Sequence, residues 1–312
     1  MRRHPGTVLA AAAALVALQT ALPAQAPPAQ RLRSGVDLVL VDMVVVDRGG
    51  RPLHGLRQED FQVFEDGRPK PIESFIEISA DAGDQDGRLV AILLDDVSVS
   101  PTLTVRVKSI ARGFVERMGP HDEIGIVKLN GDTGRTTRDR KALLGQIDGY
   151  LPGVGVGPGG RWGEHTLDTI ADLAAQFAAA DHPRKTLVCI GSSSLFNVRE
   201  PEPSAFGLVR PSWFDALRAA ARHNVSVYVI DPRGLSASDD GFDSGGLALE
   251  TGGLSFQTNM FDRAVDRIWR EAGNYYLLGY AATPERTGEK TRRIKVRTTR
   301  DGVRIRARRA IG

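Results

Sequence analysis

Disulfides cannot hold this chain together, because one of its 312 residues is cysteine, Cys189. Its place in the apolar run from Thr186 to Ile190 reads as a buried, inert thiol. Cohesion must then come from core packing, which a chain of this length can supply. Histidines number six and aromatics make up 6 %. The pattern HExxH is absent, and no His pair has zinc-ligand spacing. A nucleophile elbow would read Gly-x-Ser-x-Gly, and Gly191-Ser192-Ser193-Ser194-Leu195 lacks the second glycine. These absences point away from an enzyme.

A dominant charge is missing too. Lys and Arg number 41 against 38 acids, a net charge of +3. The surplus sits at the ends, at Arg2 and Arg3 and from Arg292 to Arg309, and no nucleic-acid readout motif accompanies it. The expectation is no nucleic-acid partner. Gly155-x-Gly157-x-x-Gly160 fits the dinucleotide fingerprint in form. It follows a helix-like stretch and a proline instead of a strand, so it reads as a flexible loop bordering a site.

The apolar run from Thr7 to Leu18 falls short of the roughly 20 residues a membrane helix needs. With Arg2 and Arg3 before it and Ala24-Gln25-Ala26 after it, it reads as a signal peptide, residues 1–26, cleaved near Ala26. Its removal takes two of the basic residues and none of the acids, leaving a nearly neutral chain. The expectation is a secreted or periplasmic protein with no transmembrane segment after signal removal.

What remains alternates. A β-branched run from Val36 to Val46, turn residues Gly49-Gly50, an alternating stretch from Asp60 to Glu65 and Asp66-Gly67 predict an N-terminal β segment over 31–78. From 88 to 281 strands alternate with helices. Leu89 to Leu94, Ile124 to Leu129, Thr186 to Ile190 and Val225 to Ile230 are buried strands. Val107, Ile110, Ala111, Phe114 and Met118 fall on one helix face, with Pro101 near its start. Tyr275 to Tyr280 reads as a further strand of this region, its tyrosines in the core. At 290–312, two strands around Asp301-Gly302 predict a hairpin packing with the N-terminal segment. The fold class is α/β, a doubly wound, mostly parallel sheet of Rossmann-like kind, with a smaller antiparallel β module from the two terminal segments.

Asp96-Val97-Ser98-Val99-Ser100 follows the first strand of the α/β region, where open α/β sheets bind ligands. A carboxylate with two hydroxyls supplies the oxygen ligands that hard cations want. Asp95 is the alternative register, and Asp231 ends a later strand. In this context the chain resembles the von Willebrand factor A (VWA) domain, whose metal-ion-dependent adhesion site opens with Asp-x-Ser-x-Ser. More specifically it resembles the acidobacterial VWFA-related proteins. The residues that carry this are Val41-Asp42-Met43-Val44-Val45-Val46-Asp47, Gly55-Leu56, Asp60-Phe61, Glu65-Asp66-Gly67, Thr251-Gly252-Gly253 and Tyr275-Tyr276-Leu277-Leu278-Gly279-Tyr280.

The resemblance implies a metal set of Asp96, Ser98 and Ser100, completed by a Thr in a Gly-Gly-Thr loop and an Asp after a later strand. This chain departs at both places. Arg161 follows Gly159-Gly160, and Gly191-Ser192 follows the later strand. A guanidinium cannot ligate a metal. Two readings stay open: no metal, with Arg161 paired to Asp96 in its place, or a weak Mg²⁺ or Mn²⁺ site. The implied function is an exported protein-binding or surface-ligand-binding module with a degenerate adhesion site. Its contact rim is Arg161, Trp162, Ser192, Phe196 and Asn197, with Arg161 placed to meet an acidic residue of the partner. The alternative is a metal-free structural scaffold in a larger extracytoplasmic assembly.

Overall fold

The computed structural model describes residues 38–80, 87–131, 134–153, 161–192, 209–236, 246–282 and 292–311, with backbone alone at 161–163, 209–210 and 311. The signal-peptide expectation lies outside these residues. No described helix is long and apolar enough to cross a membrane.

Strand β1 (Leu38–Val46) leads to β2 (Phe61–Glu65), β3 (Arg68–Lys70) and β4 (Ser74–Ser79). Then come β5 (Leu89–Leu94), α1 (Thr104–Glu116), β6 (Glu123–Lys128), α2 (Arg140–Asp148), α3 (Arg161–Gln176), β7 (Lys185–Ile190), α4 (Val209–Arg222) and β8 (Val225–Ile230). A helical turn at Leu247–Glu250 precedes β9 (Ser255–Phe256) and α5 (Phe261–Gly273). The chain closes with β10 (Asn274–Ala281), β11 (Arg292–Thr298), β12 (Arg304–Ala307) and β13 (Ala310–Ile311).

Five strands form a parallel sheet in the order β6-β5-β7-β8-β9. Every residue of β5, β7 and β8 is buried, which is why β5 reads as an unbroken apolar run and the other two are dominated by apolar residues. Alternate residues of β5 feed two cores. Leu89, Ala91 and Leu93 pack with α3 and α4 through Leu167, Ile170, Trp213 and Leu217. Val90, Ile92 and Leu94 pack with α1, α2 and α5 through Val107, Phe114, Ile147 and Ile268. Helices therefore cover both faces, and the fold is α/β and doubly wound.

The antiparallel part is two four-stranded sheets, β12-β1-β10-β4 and β13-β11-β2-β3. Val41, Met43, Phe61, Val63, Tyr276, Leu278, Tyr280 and Ile294 share one core that draws on both. Asp66 and Gly67, at φ 49° and 79°, make the tight β2–β3 turn.

Two expectations need correction. The strand at Tyr275 to Tyr280, assigned by sequence to the α/β region, is β10, and it pairs antiparallel with β1 and β4. It is buried on both sides, with Tyr276, Leu278 and Tyr280 facing one core and Tyr275 and Leu277 another. Such a strand looks like a parallel one in sequence. Nor do β11 and β12, the strands on either side of Asp301-Gly302, form a ladder with each other. Asp301-Gly302 turns the chain, with Gly302 at φ 74°, but β11 then pairs with β2 and β12 with β1. The turn is a corner between sheets.

Thr251-Gly252-Gly253 is a packing device. Thr251 Oγ1 accepts from Val227 N at 3.0 Å. A Cβ on Gly253 would overlap the Val227 carbonyl oxygen.

Candidate functional site

The strand order reverses between β5 and β7, and at such a switch point the chain leaves the two strands in opposite directions, opening a crevice at their carboxyl ends. Asp95 stands there, fully buried. Its backbone N–H donates to Ile190 O at 3.1 Å, and Gly191 N–H donates to Ile230 O at 3.1 Å, so the sheet's pattern runs one step past each strand.

The Asp95 carboxylate accepts from Val97 N at 3.0 Å and Ser98 N at 2.7 Å on Oδ1. On Oδ2 it accepts from the Ser98 hydroxyl and from Ser192 N, the latter at 3.3 Å. Tyr150 is buried beneath and donates its phenol to the Asp95 carbonyl at 2.6 Å. Burial first, then the charges of Asp95 and Asp96, push that phenol's pKa up.

The second carboxylate is Asp231, fully buried just past β8. Arg233 grips it through the Nε/Nη2 edge of its guanidinium, Nε to Oδ1 at 3.0 Å and Nη2 to Oδ2 at 2.7 Å, while Arg233 N–H adds a bond to Oδ1 at 2.9 Å. Nη2 also donates to Ser192 Oγ at 3.3 Å. Ser192 thus joins the halves, its N–H on Asp95 and its hydroxyl on Arg233. The Arg233 side chain keeps 37 % of its surface exposed.

The predicted residues fare differently. Ser98 and Ser192 are both in this network, in the Asp95 register. Asp96 braces two neighbouring loops, its Oδ1 accepting from Asn130 N at 2.9 Å and its carbonyl from Gly153 N. Ser100 is exposed and caps the turn Pro101–Leu103, with its Oγ 2.9 Å from Thr102 Oγ1 and 3.4 Å from Thr102 N. Asp96, Ser98 and Ser100 therefore each bond to different partners. Arg161 and Trp162 begin α3, and their side chains lie outside the described residues, as do Phe196 and Asn197 altogether. Arg233 was missed. The signal was local: Asp231-Pro232-Arg233 directly after a β-branched strand, with proline setting the turn that returns the arginine to the aspartate.

A metal at this place would draw on Asp95, Ser98, Ser192 and Asp231. Four donors already satisfy Asp95, and a guanidinium covers Asp231 and holds the Ser192 hydroxyl. Arginine carries a permanent charge and no lone pair to offer. The residues as arranged do not fit a metal, because a side-chain cation stands among them. Among the described residues, no group of three His, Cys, Asp or Glu could hold one.

No family model matches the chain, and no curated protein matches it. Matches exist among solved structures. The chain is similar to proximal thread matrix protein 1 from the mussel byssus, a structure with a zinc-occupied MIDAS motif, at 10 % identity and a TM-score of 0.41 over 68 % of this chain and 50 % of that one. A second crystal form of that protein gives 12 % and 0.39 over 66 % and 49 %. The SpRpn10 VWA domain gives 12 % and 0.33 over 57 % and 93 %. The chain spans about half the length of the byssus protein it matches.

Proposed function

We propose that this chain is an exported, secreted or periplasmic, non-catalytic binding module of the VWA type, akin to the VWFA-related proteins it resembles. Its contact face is the carboxyl edge of the parallel sheet, where a protein or surface ligand docks. The positive charge that a metal supplies in a competent adhesion site is supplied by Arg233. The observation that carries this reading is the bidentate Arg233–Asp231 pair, tied through Ser192 to the Asp95 carboxylate. A buried carboxylate needs a compensating charge, and a tethered guanidinium provides one without a cofactor. Its partly exposed side chain leaves that charge within reach of a partner.

Calorimetric titration with Mg²⁺ and Mn²⁺ tests the site. The native chain should bind neither at millimolar concentration, whereas Arg233→Met, which uncovers Asp231, should gain binding that Asp231→Asn then removes. Native binding at millimolar or tighter concentration, abolished by Asp95→Asn, would overturn the reading. Affinity capture with the native chain and the folded Ser98→Ala and Arg233→Met variants tests the face. A partner retained by the native chain and lost from both variants supports a binding module. Identical retention by all three favours the structural scaffold, a second reading that rests on the buried ion network joining the β module to the α/β part.

A further inference from the structure

Basic residues concentrate at a second place, unconnected with the crevice at Asp95. In β12, Arg304 and Arg306 are two apart and share a face of the strand, while Ile305 packs toward the antiparallel core. Beside them run the end of β1 with the Gly49-Gly50 turn and, from the helical side, Arg267 of α5. Together Arg48, Arg267, Arg304 and Arg306 line a concavity of about 350 Å³.

Its charges do not balance. Glu271, 1 % exposed, takes both Arg306 and Arg267, the latter at 3.0 Å. One carboxylate thus faces two guanidinium groups, and Tyr228 donates to it as well at 3.0 Å. Asp47, the nearest acid along the chain, is engaged by Arg51 through its backbone N–H at 2.9 Å and its Nε at 3.1 Å. Arg48 and Arg304 are exposed and have no acidic partner among the described residues. Arg306 Nε is buried without a hydrogen-bond partner. A buried donor left unmade is costly, and like charges gathered in a concavity repel. An anion in the concavity would offset the repulsion and bring acceptor oxygens beside Arg306.

We propose that this pocket binds a tetrahedral oxyanion, the phosphate or sulfate group of a small ligand, between the guanidinium groups of Arg48, Arg304, Arg267 and Arg306. Arginine suits this chemistry because its planar fork gives two parallel charge-assisted bonds to one oxyanion. The cavity admits such a group with a small organic remainder. Arg306 and Arg267 are held in place by Glu271, so half of the site is preorganised, and Arg48 and Arg304 close on the ligand from the solvent side.

The test is calorimetric titration of the full chain at low ionic strength with inorganic phosphate, pyrophosphate, sulfate and acetate in turn. The two tetrahedral oxyanions are titrated separately to identify which source the site prefers. Binding of phosphate, pyrophosphate or sulfate, with acetate at least about tenfold weaker, is the expected result. The Arg48→Ala, Arg304→Ala double variant breaks no ion pair among the described residues and should fold. It should lose at least about tenfold in affinity, whereas Arg304→Lys, which keeps charge but not the fork, should lose less. No binding of any tetrahedral anion, equal binding of acetate, or unchanged affinity in the folded double variant would overturn the proposal.

Discussion

Arg308 and Asp42, 266 positions apart in the chain, meet in the interior with Nη2 of the arginine 2.7 Å from Oδ1 of the aspartate. Both side chains are at most 2 % exposed. Arg184 stands within ion-pair distance on the other side, its Nε 3.2 Å from Oδ2, and Ser226 donates its hydroxyl at 3.1 Å. Asp42 belongs to β1 and Arg308 follows β12, while Arg184 and Ser226 stand at the amino ends of β7 and β8. One carboxylate therefore fastens the antiparallel module to the parallel sheet.

Replacing Asp42 by Asn keeps the volume and removes the charge, leaving Arg184 and Arg308 in the interior without the carboxylate that both of them face. The expected loss is about 3–5 kcal/mol, the cost of breaking a buried pair from one side. Urea denaturation of the native chain and Asp42→Asn measures it. A loss below about 1 kcal/mol, as for a surface bridge, would mean that water reaches the cluster.

The same cluster fixes the response to acid. Burial raises the pKa of Asp42, but Arg184 and Arg308 outweigh it and hold the carboxyl below its ordinary range. For Glu271 burial likewise raises and Arg306 and Arg267 lower, with the same outcome. A depressed folded-state value means that the stabilisation is complete above the unfolded-chain value near ~4 and is lost as pH falls through the folded one. Unfolding free energy from these two groups should be level from about pH 7 to about pH 5 and fall below that, with a shallower acid limb in Asp42→Asn. Superimposable limbs would remove Asp42 from the account.

How far the sequence foretold all this depends on the distance over which each feature is specified. Leu89 to Leu94 announces itself because burial on both faces leaves no polar position to blur it, and Val225 to Ile230 does so nearly as well, with Ser226 as its one small polar residue. The motifs that carry the family resemblance are legible too, yet most serve as structural pins. Asp42 is the buried anchor and Asp66-Gly67 a tight turn. Asp60 takes Arg300 at 2.8 Å, and Tyr276 donates to Leu53 O at 3.0 Å. The pairing of β10 with β1, across more than two hundred residues, leaves no local trace. At the site, the Asp95 register against Asp96 was undecidable from composition, because both are aspartates and only burial separates them. Arg233 was readable in principle. It stands two residues beyond the strand-end Asp231, with Pro232 between them, whereas Arg161 follows the glycine pair that the resemblance points to.

Gly252 sits at φ 86°, in the left-handed region that side chains rarely adopt, and a Cβ there would stand 3.0 Å from Arg308 N. Gly252→Ala should cost about 1–3 kcal/mol from backbone strain alone. Gly253→Ala should cost more, since its Cβ would displace the Val227 carbonyl of the central sheet. Thermal melts of the two variants rank them, and the reverse order would mean that the loop relaxes more readily than β8.

Cys189 gives the most direct probe of the sheet order. It lies on β7 with 0 % exposure, between β5 and β8, and packs with Leu93 and Val229 in the core covered by α3 and α4. Burial, and after it the negative charge of Asp95, push its thiol pKa up. Only the thiolate attacks a disulfide reagent, so the folded chain lacks both access and the reactive form. Ellman's reagent at about pH 8, where a free thiol of pKa ~8.5 reacts readily, should label nothing in the native protein and one equivalent in urea. The slow native labelling that remains should follow opening of the parallel sheet, and should quicken in step with the stability lost in Asp42→Asn if that carboxylate anchors β7 and β8. Labelling of the native chain at the rate of a free thiol would place β7 at an accessible edge and would contradict the order β6-β5-β7-β8-β9 on which the crevice at Asp95 depends.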